Sequence, residues 1–242
     1  MYLENFSFLA ADTSRSLIYL EEFKKNNIKL GSVIIVENPD KRIDLKNLNK
    51  KIGAEQKYSG IEQPKIFNES IFSLSEKVSD EIVVMKSNSV NEDSIIEKLH
   101  VLAPEFTIYS GFGGQIVCSE LLSSSRFIHA HAGWLPDYRG STTTYYSLID
   151  RNDCAVSVIE LNPQIDKGDI LSRKRYNPPK LGTEIDHVYD NQIRADLLVE
   201  TLVNYSKNKN FEMILSQDEV ASTTYYVIHP VLKHLAILSI KK

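Results

Sequence analysis

The chain has 242 residues, which fits one large α/β domain or one domain with a short C-terminal extension. Its net charge of −4 and its pI near 5.9 argue against the broad basic surface of nucleic-acid-binding proteins. With 42% hydrophobic and 25% charged residues the composition is that of a globular protein, and no apolar stretch predicts a membrane span.

The two cysteines, Cys118 and Cys154, are far apart and match no zinc-ligand spacing. The first residues lack the basic leader and the long apolar run that are typical of a signal peptide. We therefore predict a cytoplasmic protein, for which reduced cysteines are the default.

The N-terminal part alternates strands with a helix. Strands are predicted at 6–10 and 31–37, and a helix at 14–26. The polar cluster 13–16 at the start of this helix is either an N-cap, which is the commoner use, or a phosphate site. Residues 37–80 are polar and weakly periodic, so we expect helices and loops there.

The remaining part continues the alternation. Strands are predicted at 81–85, 105–110, 127–132, 155–161 and 174–176. Helices are predicted at 92–102, 142–150 and 183–205, and a further helix follows the Gly-rich turn 111–114 and ends at 122. Thr183 is the predicted N-cap of the last helix. This order predicts an α/β fold with a Rossmann-like, doubly wound, mostly parallel sheet. We assign residues 1–207 to this domain and 208–242 to a C-terminal extension packed on it.

Two histidines, His129 and His131, lie on one predicted strand, and Asp166 follows before a Lys-Gly turn. Strand side chains alternate between faces, so the two imidazoles point the same way near the carboxyl end of the strand, where open α/β sheets bind ligands. Spacing alone leaves open that both histidines are structural. It also leaves open that Asp166, like Asp169, only caps a turn.

The segment HAGWLPDYRG, which begins at His131, resembles the folate-dependent formyltransferase signature Asn-x-His-Pro-Ser-Leu-Leu-Pro-x-Tyr-Arg-Gly. The segment IDKGDIL, which begins at Ile165, resembles the (Val/Ile)-Asp-(Thr/Gly)-Gly-x-Ile block of that family, in the same order. Residues 109–117 resemble the strand and turn that flank the family's folate pocket. The resemblance implies a formyltransferase-like fold and transfer of a formyl group from 10-formyltetrahydrofolate to a primary amine.

The family uses an Asn-His-Asp trio for catalysis. The resemblance implies that His131 and Asp166 match its histidine and aspartate, and that His129 replaces its asparagine. In such a trio the histidine donates to the oxyanion of the tetrahedral intermediate, and the carboxylate keeps that histidine protonated. An imidazole at 129 can still donate one hydrogen bond, but it titrates near neutrality. Three further departures from the signature are Ala132, Gly133 and Trp134.

The resemblance also assigns the binding residues by position. The folate pocket maps to six residues, Gly114, Gln115, Ile116, Val117, Asn162 and Pro163. The acceptor side maps to Trp134, Tyr138 and Arg139, of which Arg139 either binds an anionic acceptor or braces the loop.

The acceptor is predicted by elimination within the family. Few residues follow the 183–205 helix and the chain is acidic, which argues against a tRNA acceptor. The Gly-Ser-Asn loop of the enzyme that formylates glycinamide ribonucleotide is absent from the first turn, 11–16. We therefore expect a small-molecule amine, a nucleotide-linked amino sugar for surface polysaccharide, with no nucleic-acid or membrane partner, and leave a homodimer open.

Two other functions remain as alternatives. One is a metal-dependent hydrolase that uses His129, His131 and Asp166 as ligands, because two imidazoles and a carboxylate suit zinc or iron. The other is a catalytically silent binding protein with a formyltransferase-like fold.

Overall fold

The computed structural model describes residues 1–40, 44, 46–50, 67–217 and 222–240. The strands in these ranges are β1 Tyr2–Ala11, β2 Lys29–Glu37, β3 Ile82–Lys86, β4 Phe106–Ser110, β5 Arg126–His131, β6 Arg139–Gly140, β7 Cys154–Glu160, β8 Ile170–Tyr176 and β9 Thr224–Tyr225. The helices are α1 Ser14–Lys25, α2 Ile71–Ser75, α3 Asp93–Leu102, α4 Ser119–Leu122, α5 Thr143–Arg151, α6 Asp190–Asn208 and α7 Pro230–Ser239, and a π-helical turn, Ile185–Tyr189, precedes α6. No helix in this described part is long and apolar enough to cross a bilayer.

Seven of these strands form one sheet in the order β3-β2-β1-β4-β5-β7-β8. The first five in this order pair in parallel, whereas β5–β7 and β7–β8 are antiparallel. The strand order reverses between β1 and β4, and open α/β sheets bind ligands outside the carboxyl ends of strands at such a point. The predicted α/β fold with a mostly parallel sheet is confirmed.

Helix α1 shows why the first strand–helix–strand unit could be predicted. The Thr13 hydroxyl accepts a hydrogen bond from the Ser16 amide at 3.3 Å and so caps the helix. Leu17, Leu20 and Phe23 recur on one face and are fully buried against the sheet. Within the polar cluster at 13–16, Thr13 therefore serves as the N-cap.

Other predicted boundaries differ from the structure. The helix predicted at 183–205 begins with the π-helical turn, which Glu184 rather than Thr183 caps by accepting from the His187 amide at 2.6 Å. Strand β8 is longer than the predicted 174–176, because it completes a pairing with β7 that starts at Ile170. In the stretch predicted as helices and loops, 46–50 and α2 are helical, whereas 41–43, 45 and 51–66 lie outside the described residues.

The described residues after α6 pack onto the sheet domain. Strand β9 pairs with β6, and Leu215 forms a β-bridge with Ile170. The buried Arg139 guanidinium donates to Gln217 Oε1 at 2.9 Å and to the Ser222 hydroxyl. The domain boundary at residue 207 stays a prediction.

Replacing Arg139 by methionine should lower the stability of the fold. The apolar side chain would leave the polar groups of Gln217 and Ser222 without their donor, at a cost of about 1–3 kcal/mol in the free energy of unfolding. Urea denaturation measures the change. Lys25→Met is the control, because among the residues that the structure describes Lys25 forms only an exposed ion pair with Glu22, whose loss should change little. Equal unfolding midpoints for the two variants would contradict the bracing role of Arg139.

Candidate active site

A cleft opens beside the carboxyl ends of β4 and β5. Six residues predicted from sequence line it, namely His129, Asp166, Gln115, Ile116, Val117 and Asn162. The β4–α4 loop supplies one wall, and the 161–166 segment after β7 supplies the other. The sheet therefore brings together two segments far apart in sequence that were predicted to meet.

His129 lies on β5 with its ring in the wall of this cleft. Its Nδ1 lies 3.3 Å from the Tyr109 carbonyl oxygen. Burial is the main cause that holds the pKa of His129 well below its ordinary value of 6.5, and the positive charges of Arg15 and Arg194 lower it further. The imidazole is therefore neutral near pH 7.

His131 is buried, with 4% of its surface exposed, and it does not line the cleft. Its Nε2 lies 2.7 Å from the Tyr138 carbonyl oxygen, an acceptor, so Nε2 carries a proton. Its Nδ1 lies 3.4 Å from Asp166 Oδ1. His131 is thus held between a backbone carbonyl and the carboxylate that faces the cleft.

Contacts with the backbone hold the Asp166 carboxylate in place. Its Oδ2 accepts a hydrogen bond from the Gly140 amide at 2.9 Å. Its φ of 51° is in the left-handed region, which aspartate tolerates better than most residues. Gly168 allows the turn to approach β7, because a Cβ there would lie 1.6 Å from the Glu160 carbonyl oxygen. The turn therefore presents the carboxylate to His131 in one orientation.

The positive charges of two arginines act on His129. Arg15 donates from Nε to the Ser110 hydroxyl at 3.1 Å and from its guanidinium to the Gly111 carbonyl. Arg194 donates to the Ala130 carbonyl at 2.7 Å and pairs with Asp190 at 2.7 Å. Burial and the neighbouring Arg194 lower the pKa of Arg15.

The sequence pattern does not reveal the place of either arginine. In sequence Arg15 belongs only to the polar cluster at 13–16. Arg194 lies in the middle of a helical pattern and reaches the site only because α6 packs against β5. No local signal marks it.

Three residues predicted to bind the acceptor have other partners in the structure. The Trp134 ring lies between the guanidinium groups of Arg173 and Arg175, each 4.3 Å from the ring centroid. Tyr138 is buried, and its ring stacks on Tyr225 with centroids 5.5 Å apart. Arg139 braces the C-terminal residues, as described above. None of the three lines the cleft, so the structure differs here from the sequence prediction.

The residues predicted to hold the folate divide into two groups. Gly114 and Pro163 do not line the cleft, whereas the other four do. Of these, Gln115 uses its side chain to brace the loop, accepting from the Val90 amide at 3.2 Å and donating to the Asn88 carbonyl at 2.6 Å. Asn162 likewise bonds to the backbone of its own turn. Backbone groups and the exposed Ile116 side chain are therefore what this wall offers a ligand.

The proposed metal alternative needs His129, His131 and Asp166 to converge on one point. Within residues 1–40, 44, 46–50, 67–217 and 222–240, no group of three or more His, Cys, Asp or Glu side chains is placed to hold a metal ion. Both nitrogens of His131 already face protein groups. The geometry gives the metal-dependent alternative no ligand set.

Gly133 takes the place of the signature's serine, and the structure shows why glycine fits. A Cβ at this position would lie 2.6 Å from the Tyr138 carbonyl oxygen and 2.7 Å from His131 Nε2. We expect Gly133→Ser to displace the hydrogen bond from His131 Nε2 to the Tyr138 carbonyl. The free energy of unfolding, measured by urea denaturation, should fall by about 1–3 kcal/mol. Gly113→Ser is the control, since a Cβ there meets nothing within 4 Å. If Gly133→Ser unfolds at the wild-type urea concentration, the contact does not require glycine.

Comparison with known proteins gives matches along most of the chain. A family model described as formyl transferase matches residues 5–190. The methionyl-tRNA formyltransferase of Listeria monocytogenes is 28% identical over 134 residues, which cover 53% of this chain and 42% of that relative. The chain spans less than half the length of the curated relatives it matches.

Two solved structures share the fold. The N-formyltransferase of Helicobacter canadensis, in complex with folinic acid and dTDP-3-aminofucose, has a TM-score of 0.59 at 15% identity. The match covers 97% of this chain and 80% of the Helicobacter chain. The methionyl-tRNA formyltransferase of Clostridium thermocellum has a TM-score of 0.53 at 14% identity, with coverage of 93% and 74%.

Proposed function

Because the chain belongs to the formyl transferase family, we propose that it moves a formyl group from 10-formyltetrahydrofolate to a primary amine. One observation carries this proposal. His129 and Asp166 line one cleft, and the buried His131 stands directly behind the Asp166 carboxylate. This arrangement offers a carboxylate–imidazole unit and a second imidazole to a single reacting centre.

In the proposed reaction the amine attacks the formyl carbon, and negative charge develops on the formyl oxygen. His131 does not line the cleft, so it is the Asp166 carboxylate, held by His131 Nδ1 at 3.4 Å, that faces the reactants and stabilises the positive charge developing on the attacking amine. The backbone of residues 114–117 and 162–163 is the proposed contact surface for the folate. The roles of His131, Asp166 and His129 as catalytic residues are part of this proposal.

We further propose that the acceptor is a nucleotide-linked amino sugar. The N-formyltransferase of Helicobacter canadensis, whose structure contains dTDP-3-aminofucose, superposes over 97% of this chain. The Arg15 guanidinium, whose hydrogen-bond partners are neutral, adds uncompensated positive charge near His129, which suits an anionic acceptor. The net charge of −4 favours a small molecule over tRNA.

Mass spectrometry of products separates the acceptors. The chain is incubated with 10-formyltetrahydrofolate and, in parallel, with dTDP-3-aminofucose or with methionyl-tRNA. We expect formylated amino sugar and no formylated methionyl-tRNA. Formylation of the tRNA alone would overturn the amino-sugar proposal. If neither acceptor nor a wider panel of amines is formylated, and calorimetry shows no binding of folinic acid, formyl transfer itself is refuted.

A further inference from the structure

The hydrogen bond made by His129 determines what this residue offers to a ligand. The partner of Nδ1 is the Tyr109 carbonyl oxygen, which can only accept, so Nδ1 carries the proton. In a neutral imidazole of this tautomer, Nε2 holds a lone pair and no proton. Nε2 makes no hydrogen bond with any residue that the structure describes, and the ring lines the cleft. His129 therefore presents an acceptor to the cleft, where the signature's asparagine has an amide that can donate.

The charges around His129 keep it in this neutral form. The groups that act on it are Arg15 from α1, Arg194 from α6, His131 from its own strand and, from β4, the Tyr109 carbonyl and the Tyr109 ring, whose centroid is 5.7 Å from that of the imidazole. Asp190 compensates Arg194 through the 2.7 Å ion pair, whereas the hydrogen-bond partners of Arg15 are the neutral Ser110 hydroxyl and Gly111 carbonyl. The two cations and burial all disfavour a charge on the imidazole.

The geometry points to a specific role: His129, through Nε2, is the general base that accepts the proton of the attacking amine. This inference rests on the proposed formyl transfer. The amine nitrogen bonds to the formyl carbon, and one amine proton moves to Nε2. The tetrahedral intermediate then collapses, the bond from that carbon to N10 of the folate breaks, and His129 returns the proton to N10. His129 ends the cycle neutral, as it began, and no oxidant or reductant is needed.

A base at this position differs from the signature's asparagine in what it can do. Even with its pKa lowered by burial and by the two arginines, the imidazole is a far stronger base than an amide oxygen, and the same surroundings make its protonated form a strong acid toward N10. His129 is thus more than a substitute for the asparagine, because it adds a proton acceptor to the site.

The first test needs no substrate. NMR of protein labelled with ¹⁵N in the histidine rings reports the tautomer and charge of each imidazole, and His129→Asn identifies the signals of His129 by their loss. At pH 7 we expect His129 to be neutral with the proton on Nδ1. His131 should carry a proton on Nε2, which provides an internal comparison. A His129 that is protonated on Nε2 at pH 7, either as the other tautomer or as the imidazolium ion, would overturn the proposal.

The second test measures turnover with 10-formyltetrahydrofolate and dTDP-3-aminofucose. We expect His129→Asn to lower kcat by at least about tenfold at pH 7, with little change in KM for the folate. Added imidazole should restore part of the activity of His129→Ala. In the wild type kcat should fall as the pH drops through the lowered pKa of His129, which lies below 6.5. The pH profile of His129→Asn should lack this decrease at acid pH. His234→Asn, at an exposed position, should behave as wild type.

The outcomes separate the base role from the proposed function. If the wild type is active and His129→Asn has an equal or higher kcat, the base role alone is overturned. A wild type that formylates no amine would overturn the proposed function, and the base role with it, whatever tautomer the NMR signals report.

Discussion

Asp166→Asn should lower kcat for formyl transfer by at least about a hundredfold while leaving the fold intact. The amide has nearly the shape of the carboxylate, can still accept from the Gly140 amide, and tolerates the left-handed backbone at this position. It loses the negative charge 3.4 Å from His131 Nδ1, so the imidazole no longer has an anionic partner. Steady-state kinetics with 10-formyltetrahydrofolate and an amino-sugar acceptor measures the loss.

The matched control for this variant is Asp169→Asn. Asp169 lies in the same turn, but its carboxylate bonds to none of the described residues, and only its backbone carbonyl contacts β7. We expect this control to retain wild-type kcat. Similar rates for Asp166→Asn and Asp169→Asn would refute the assigned role of Asp166.

His131→Ala should also reduce kcat by at least about a hundredfold, and in addition it should destabilise the fold. The buried imidazole donates to the Tyr138 carbonyl at 2.7 Å. Its removal leaves that carbonyl without a donor, at a cost of about 1–3 kcal/mol. Kinetics below the melting temperature, with circular dichroism as the measure of folding, separates the two effects.

His131→Gln serves as the second variant in case the alanine variant unfolds. Its amide can donate to the Tyr138 carbonyl but cannot form an imidazolium opposite Asp166. We therefore expect stability close to wild type, with kcat still strongly reduced. A folded His131→Gln that keeps wild-type turnover would show that His131 only fills space behind Asp166.

The sequence predicted the framework of the site well, for identifiable reasons. Strand β5 could be placed because its apolar residues alternate with the two histidines, and β2 because it is a nearly continuous apolar run. The prediction for β1 covers only 6–10 of Tyr2–Ala11, because Glu4 and Asn5 interrupt the apolar pattern before it. That His129 and Asp166 line one cleft was predicted from the resemblance of two separated segments to one family. The strands could be predicted from the periodicity of apolar residues, and the cleft residues from two segments whose residue types resemble one family.

The parts that could not be predicted depend on contacts between distant residues. The periodicity of β5 puts His129 and His131 on one face, but it cannot show that the loop before β6 returns to cover His131 with the Tyr138 carbonyl. An aromatic side chain such as Trp134 stacks equally well on a sugar or on an arginine, and only the position of β8 decides between them. Arg194 enters the site through the packing of a helix, which has no local signature.

The start of the last long helix was misplaced for a similar reason. Thr183 is a good N-cap by type, yet Glu184 makes the capping bond because the first turn is π-helical and begins two residues later. Propensity identifies the residues able to cap a helix. It does not determine which of two adjacent candidates the tertiary fold will use.

The most direct test of formyl transfer follows the formyl carbon itself. The chain is mixed with 10-formyltetrahydrofolate labelled with ¹³C in the formyl group and with dTDP-3-aminofucose, and ¹³C NMR records the fate of the label. We predict that the signal leaves the folate and appears in an N-formyl amide, in step with release of tetrahydrofolate. A label that stays on the folate, or that appears only as free formate, would contradict the account.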